Sequence, residues 1–145
     1  MVKNYLRRNN LSLDLIPQSH RDLLKDETRA FAYLATVMAD GSPQVTKVWF
    51  NTDGENILIN SVKGHVKDRN MRARPEIALA IEDPGNDFRF LQVRGTVVEI
   101  IEESAREHID ALAGKYTGTP KYQGMQPGMV RVIYKIQPES VSTSG

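Results

Sequence analysis

Apolar runs of strand length and stretches that alternate apolar and polar positions recur along this chain, with turn residues between them. Residues 30–38 form an apolar run of strand length that ends at Ala39-Asp40-Gly41-Ser42. Asp-Gly between two apolar runs is a strong hairpin signal. The returning stretch, residues 44–51, puts Val45, Lys47 and Trp49 on one side and Thr46, Val48 and Phe50 on the other. A second turn, Thr52-Asp53-Gly54-Glu55, leads to a strand at 56–60, so the three strands predict an antiparallel meander. Residues 77–81 are a further apolar run, and a polar turn over 82–87 leads into the longest strand, 88–100. Gly95 inside it predicts a bulge or a close backbone approach.

The period changes to that of a helix over 102–116, with Ala105, Ile109, Leu112 and Tyr116 on one face. A loop rich in Gly and Pro, 117–128, separates it from a last strand at 130–136, where Val130, Val132, Tyr134 and Ile136 share a side. Near the start, Ser19 followed by Asp22 reads as a capping box opening a short helix that contributes Leu23 and Leu24. The pattern gives three domain segments: a flexible arm (1–15), a folded domain (16–139) and a C-terminal tail (140–145). The predicted class is mainly β with short helices (α+β): six mostly antiparallel strands in a small closed barrel, which removes exposed edges.

Composition narrows the function classes. The chain has 145 residues, enough for one domain with a real core, and a net charge of +1 with 26% charged residues. That balance argues against a dedicated nucleic-acid binder. With no cysteine, disulfide frameworks, zinc ribbons and thiol nucleophiles are excluded. No apolar run approaches the roughly 20 residues of a membrane span. The basic N-terminus lacks the apolar segment of a secretory signal, and a cytoplasmic location is the expectation.

Positive charge is concentrated in residues 60–75, Asn-Ser-Val-Lys-Gly-His-Val-Lys-Asp-Arg-Asn-Met-Arg-Ala-Arg-Pro. The segment leaves a strand, passes a glycine turn and opens a helix bearing Lys67, Arg69, Arg72 and Arg74, with Lys63 and His65 just before it and Asp68 as its one acid. Helix-start N–H groups, the positive end of the helix dipole and nearby lysines together make a phosphate site; a solvated basic face is the alternative. No nucleophile elbow, Walker loop or dinucleotide fingerprint is present, and His20, His65 and His108 lack the spacing of a metal pair. An anion site without a visible acid, base or nucleophile points to a bound cofactor that carries the chemistry, or to binding alone.

Four patterns carry a resemblance over nearly the whole folded part. They are Ala-Thr-Val-Met-Ala-Asp-Gly-Ser-Pro-Gln-Val (35–45), Lys-Val-Trp-Phe (47–50), the basic segment 60–75, and Leu-Gln-Val-Arg-Gly-Thr-Val (91–97). The chain resembles the split-β-barrel flavoproteins related to pyridoxamine 5′-phosphate oxidase, and within them the branch of oxidoreductases that use the deazaflavin F420. The resemblance implies that Val45, Thr46, Lys47 and Val48 run along the cofactor ring, largely through backbone groups. It implies that Asn60 and Ser61 reach the ribityl chain or phosphate, that Lys67 binds the phosphate, and that Asn70 follows one turn later. Lys63 and His65 fall in the phosphate loop; Asn70 could instead pin the helix to the barrel. A homodimer with cofactor sites at its interface is implied as well, and no separate catalytic side chain.

The leading expectation is therefore an enzyme that moves a hydride between F420 and a small conjugated organic substrate. FMN in the same fold is the alternative, either as an oxidoreductase or as a binding protein, and a non-catalytic flavin-type carrier is a third reading. Lys63, Arg69, Arg72 and Arg74 favour F420, whose tail is anionic beyond the first phosphate. Neither nucleic acid nor membrane is an expected partner. Oxidation of pyridoxamine phosphate is not expected, since the substrate-binding C-terminal segment of that enzyme has no counterpart after the last strand.

Overall fold

Residues 13–145 are described in a computed structural model, so the expected arm over 1–15 lies almost wholly outside the described residues. Three short 3-10 turns (Leu13–Leu15, Gln18–Leu24, Asp26–Thr28) precede β1 (Phe31–Val37), β2 (Pro43–Val48), β3 (Phe50–Thr52) and β4 (Ile57–Val62). Helix α1 (Val66–Ala73), β5 (Glu76–Asp83), β6 (Asn86–Ile101), α2 (Ala105–Thr117) and β7 (Arg131–Ser144) complete the chain. The strands form one antiparallel sheet in the order β2-β1-β5-β6-β7-β4-β3.

The sheet has seven strands where six were expected, because the alternating stretch 44–51 breaks at Trp49. Val48 is the last residue paired with β1, opposite Ala32, and Phe50 is the first paired with β4, opposite Ile59. One continuous stretch of chain thus supplies both edges of the sheet. The sheet curls into a half-barrel rather than the closed barrel expected, since its edge strands β2 and β3 are joined by the Trp49 bend but do not pair with each other.

Alternation decides what fills the barrel. Leu34, Phe50, Ile59, Ile81, Leu91, Tyr134 and Ile136 point inward and are fully buried. Each such side chain contributes about 1.5–3 kcal/mol on leaving water. The opposite face of β7 carries Ile133, buried under α2. The hairpin at Asp40-Gly41 forms as read: Gly41 takes φ +88°, and Asp40 Oδ1 accepts the Ser42 N–H at 3.0 Å.

Gly95 sits at a register shift between β6 and β7. A Cβ there would lie 2.4 Å from the Gln137 carbonyl oxygen, which is backbone and cannot swing away. Gly95→Ala is expected to cost about 1–3 kcal/mol of stability through overpacking, read as a lower midpoint in denaturant unfolding.

Two local expectations are corrected. Ser19 and Asp22 do not form a capping box: Ser19 Oγ bonds His20 Nδ1 at 2.8 Å, and Asp22 pairs with Arg89. The last strand does not stop at 136 and leave a tail over 140–145. It continues to Ser144 because β6 is long enough to pair with it throughout, from Ile101↔Ile133 to Phe90↔Ser144.

Candidate functional site

At the Trp49 bend, the ends of several elements surround a cavity of about 200 Å³. Lys47, Val48 and Trp49 come from the bend, Asn60 from β4, Lys67 from α1, Ile109 and Leu112 from α2, Tyr122 from the following loop and Arg131 from the start of β7. The indole of Trp49 stacks on Tyr116 at 5.3 Å and meets Tyr122 edge-on at 6.1 Å. The Tyr122 ring in turn covers the Arg131 guanidinium at 5.1 Å. One side of the cavity is therefore apolar and aromatic, and another is cationic.

The ten residues singled out from sequence separate into groups. Lys47, Val48, Asn60 and Lys67 line the cavity together. Val45 lies on the outer face of β2, 65% exposed, and Thr46 is half-buried opposite Leu34. Ser61 is buried on the other face of β4 from Asn60, as strand alternation requires. Lys63 reaches Glu102 at 2.9 Å, and His65 is exposed at the N-cap of α1 without capping it. Asn70 is buried: its amide donates to Thr36 Oγ1 at 3.0 Å and contacts Met38 Sδ at 3.2 Å, which pins α1 to β1.

The basic segment is much less free than its composition suggests. Arg72 pairs with Asp68 at 2.9 Å, Arg74 donates to the Val37 carbonyl at 2.7 Å, and Arg69 donates to the Gly64 carbonyl. Lys67 differs, having no carboxylate partner among the described residues. Burial lowers its pKa, and the positive charge of Arg131 lowers it further. Burial likewise pulls Arg131 below its ordinary value. Two partly desolvated cations facing one cavity without an acid are an arrangement that a bound anion relieves.

His108, read from sequence as lacking a partner at metal-pair spacing, is buried behind Asn60 of this cavity. Its Nδ1 lies 3.0 Å from Asn60 Nδ2 and its Nε2 lies 2.8 Å from Asn51 Oδ1. Burial, with a smaller effect from the Arg131 charge, pushes its pKa down to about 4. The native state therefore binds no proton on His108 where the unfolded chain, with an ordinary value of 6.5, begins to bind one. Stability is expected to fall as pH drops from 6.5 toward 4, by about 3 kcal/mol in all. Urea unfolding of wild type and His108→Gln across that range checks it, the variant losing less.

Sequence reasoning missed Arg131 as a site residue. It opens the last strand on the face opposite Val132 and Tyr134, and no local pattern says which element that face meets. Tyr122 and Trp49 were visible as aromatics, but their assembly around one cavity depends on the Trp49 bend.

The profile of the family described as pyridoxamine 5′-phosphate oxidase matches residues 16–145. The chain belongs to this family. A solved structure named F420 reductase is 33% identical, with 88% of this chain and 98% of that one covered and a TM-score of 0.78. A conserved hypothetical protein from Mycobacterium tuberculosis is 22% identical, with coverages of 89% and 84% and a TM-score of 0.67. HupZ from Group A Streptococcus is 23% identical, with coverages of 88% and 93% and a TM-score of 0.62; these last two show likeness of fold. None of the curated proteins matches the chain.

The pyridoxamine 5′-phosphate oxidase family includes oxidoreductases built on a flavin-binding fold. The residues here fit such a group: Lys67 and Arg131 suit a phosphate, and Val48, Trp49, Ile109, Leu112 and Tyr122 suit an apolar ring or side chain. Among the described residues no group of three acidic or histidine side chains could hold a metal, and no helix is long and apolar enough to cross a membrane.

Proposed function

We propose that the protein is an oxidoreductase that transfers a hydride between the deazaflavin F420 and a small conjugated organic substrate. The observation that carries the proposal is that Lys67 and Arg131 meet at one cavity, both without an acidic partner among the described residues, beside an aromatic wall. The 33% identity to a protein named F420 reductase, over nearly all of both chains, supports this choice of cofactor. When bound, the cofactor ring supplies the hydride chemistry. The chain's own residues that would hold it are Lys67 and Arg131 at the phosphate, with Trp49 beside the cavity and Ile109, Leu112 and Tyr122 excluding water.

FMN is the second reading, and a specific observation favours keeping it. Lys63, Arg72 and Arg74, which in the sequence favoured an anionic tail, are engaged with Glu102, Asp68 and Val37. Lys67 and Arg131, the two half-buried cations at the cavity, suffice for a single phosphate.

A second copy of the chain would complete the site. The cavity is smaller than the roughly 300–1,000 Å³ typical of sites that enclose a ligand. The outer face of β1, β2 and β5 presents Tyr33, Ala35, Val45, Ala78 and Ala80 as a mainly apolar surface suited to self-association. Sedimentation equilibrium giving a monomer would remove this part of the proposal.

Activity is tested by mixing the protein with reduced F420 and a quinone and following cofactor reoxidation. Turnover supports the enzyme. Tight binding without turnover on a panel of quinones and enones would instead leave a carrier.

A further inference from the structure

Arg131 enters the cavity with part of its guanidinium already committed. The Asn60 side-chain oxygen accepts the Arg131 Nε–H at 2.8 Å. The same carboxamide turns its nitrogen toward the Ala105 carbonyl at 2.8 Å and His108 Nδ1 at 3.0 Å. His108 Nε2 lies 2.8 Å from Asn51 Oδ1.

Elementary donor and acceptor counting leaves one arrangement of protons. The Ala105 carbonyl can only accept, so the Asn60 NH2 faces it; the guanidinium can only donate, so the Asn60 oxygen faces Arg131. The same NH2 also points at His108 Nδ1, which must therefore be bare. The imidazole proton then sits on Nε2 and goes to the Asn51 oxygen. His108 is held in its neutral form, as this arrangement needs. The chain runs in one direction, from Arg131 through Asn60 and His108 to Asn51, and joins β7, β4, α2 and β3.

Packing alone does not require a directional chain that ends on a cation at a cavity wall. We infer that Asn51, His108 and Asn60 are a buried positioning relay that fixes the Arg131 guanidinium to receive the cofactor phosphate alongside Lys67. Committing Nε leaves the terminal nitrogens as the donors that reach the ligand, and the Tyr122 ring against the guanidinium restricts its swing. None of the three relay residues needs to touch the ligand phosphate. The inference rests on the phosphate-binding reading of the cavity given above.

The test separates orientation of Arg131 from simple support of the fold. Affinities are measured for two pairs of probes: FMN against riboflavin, and F420 against its phosphate-free deazaflavin riboside. The FMN pair isolates what the phosphate contributes, and the F420 pair reports the phosphate together with the anionic tail beyond it. His108→Leu removes one of the two acceptors of the Asn60 NH2 and leaves the Ala105 carbonyl as its single partner, which loosens the amide. In His108→Gln the amide oxygen can accept from Asn60 and the NH2 can donate to Asn51, so this variant restores the chain. We expect His108→Leu to cut the phosphate advantage at least tenfold with phosphate-free affinity unchanged, and His108→Gln to recover most of it.

Retention of the full advantage in His108→Leu, or equal weakening of both members of a pair, overturns the relay. If wild type shows no phosphate advantage with either pair, the phosphate reading itself fails, and that outcome is distinct. Should His108→Leu not fold, Asn51→Ala receives the same measurements. That variant removes the acceptor of the Nε2–H and so the far anchor of the imidazole, and the same loss or retention decides the matter.

Discussion

Lys67→Glu is expected to weaken binding of a phosphate-bearing flavin-type cofactor by two orders of magnitude or more while leaving the protein folded. Lys67 has no carboxylate partner among the described residues, so the fold loses no ion pair with its ammonium. A charge-assisted hydrogen bond to the ligand is worth about 1.5–3 kcal/mol, and a carboxylate in its place adds repulsion. The new carboxylate would also face Arg131, pairing with the second cation and withdrawing it from the ligand. A total near 3 kcal/mol corresponds to roughly a hundredfold in affinity. Fluorescence titration gives the affinity, and a thermal melt unchanged within a few degrees shows that the loss belongs to the site. An unchanged affinity would place the phosphate elsewhere.

The largest effect on stability is expected one residue further along. Asp68 is 2% exposed and accepts from the Gly64 N–H at 2.8 Å, Arg72 Nε at 2.9 Å and the Tyr134 hydroxyl. It ties the turn before α1 to the barrel core at β7. Burial alone would raise its pKa, but the Gly64, Tyr134 and Arg72 donors outweigh burial and hold it below 3.8. Removing one member of such a buried cluster leaves the others without a partner. Asp68→Ala is expected to cost about 3–5 kcal/mol, or roughly 10–15 °C in melting temperature.

The sign of the pH effect follows from the lowered value. A depressed carboxylate contributes its stability above the unfolded pKa and loses it as pH falls through the folded one. Wild type should therefore lose stability below about pH 4 more steeply than Asp68→Ala. Chemical unfolding at pH 7 and pH 3 compares the two. Equal slopes would mean that the carboxylate is not held ionised by its donors.

Much of the barrel was legible because local chemistry and global fold agree. The Asp40-Gly41 turn, the alternation that buries Leu34 and Ile59, and the demand for a glycine at 95 each follow from a backbone or burial constraint within a few residues. The break at Trp49 was not legible: the alternation runs through it, and the bend shows only in the pairing, where β1 holds the chain up to Val48 and β4 takes it from Phe50. The length of β7 was hidden for a related reason. Residues 137–144 look like a polar tail, and they are held as a strand by β6.

The candidate site was legible in part. Lys47, Val48, Asn60 and Lys67 carried patterns that pointed to a shared role, and they meet at one cavity. Charge counting along 60–75 overstated the number of free cations, because Lys63, Arg72 and Arg74 find partners 39, 4 and 37 residues away. Arg131 went unread because its significance comes from Asn60, 71 residues earlier, and from Tyr122. Long-range hydrogen bonds of this kind have no period and no motif.

On the proposed function, Lys67 and Arg131 make this cavity a phosphate-anchored site for a flavin-type cofactor, F420 before FMN. A side-by-side fluorescence titration of the purified protein with F420 and with FMN at two salt concentrations tests this. Tighter binding of F420, weakened by salt as a cationic site requires, is the expected result. Binding of neither cofactor would contradict it.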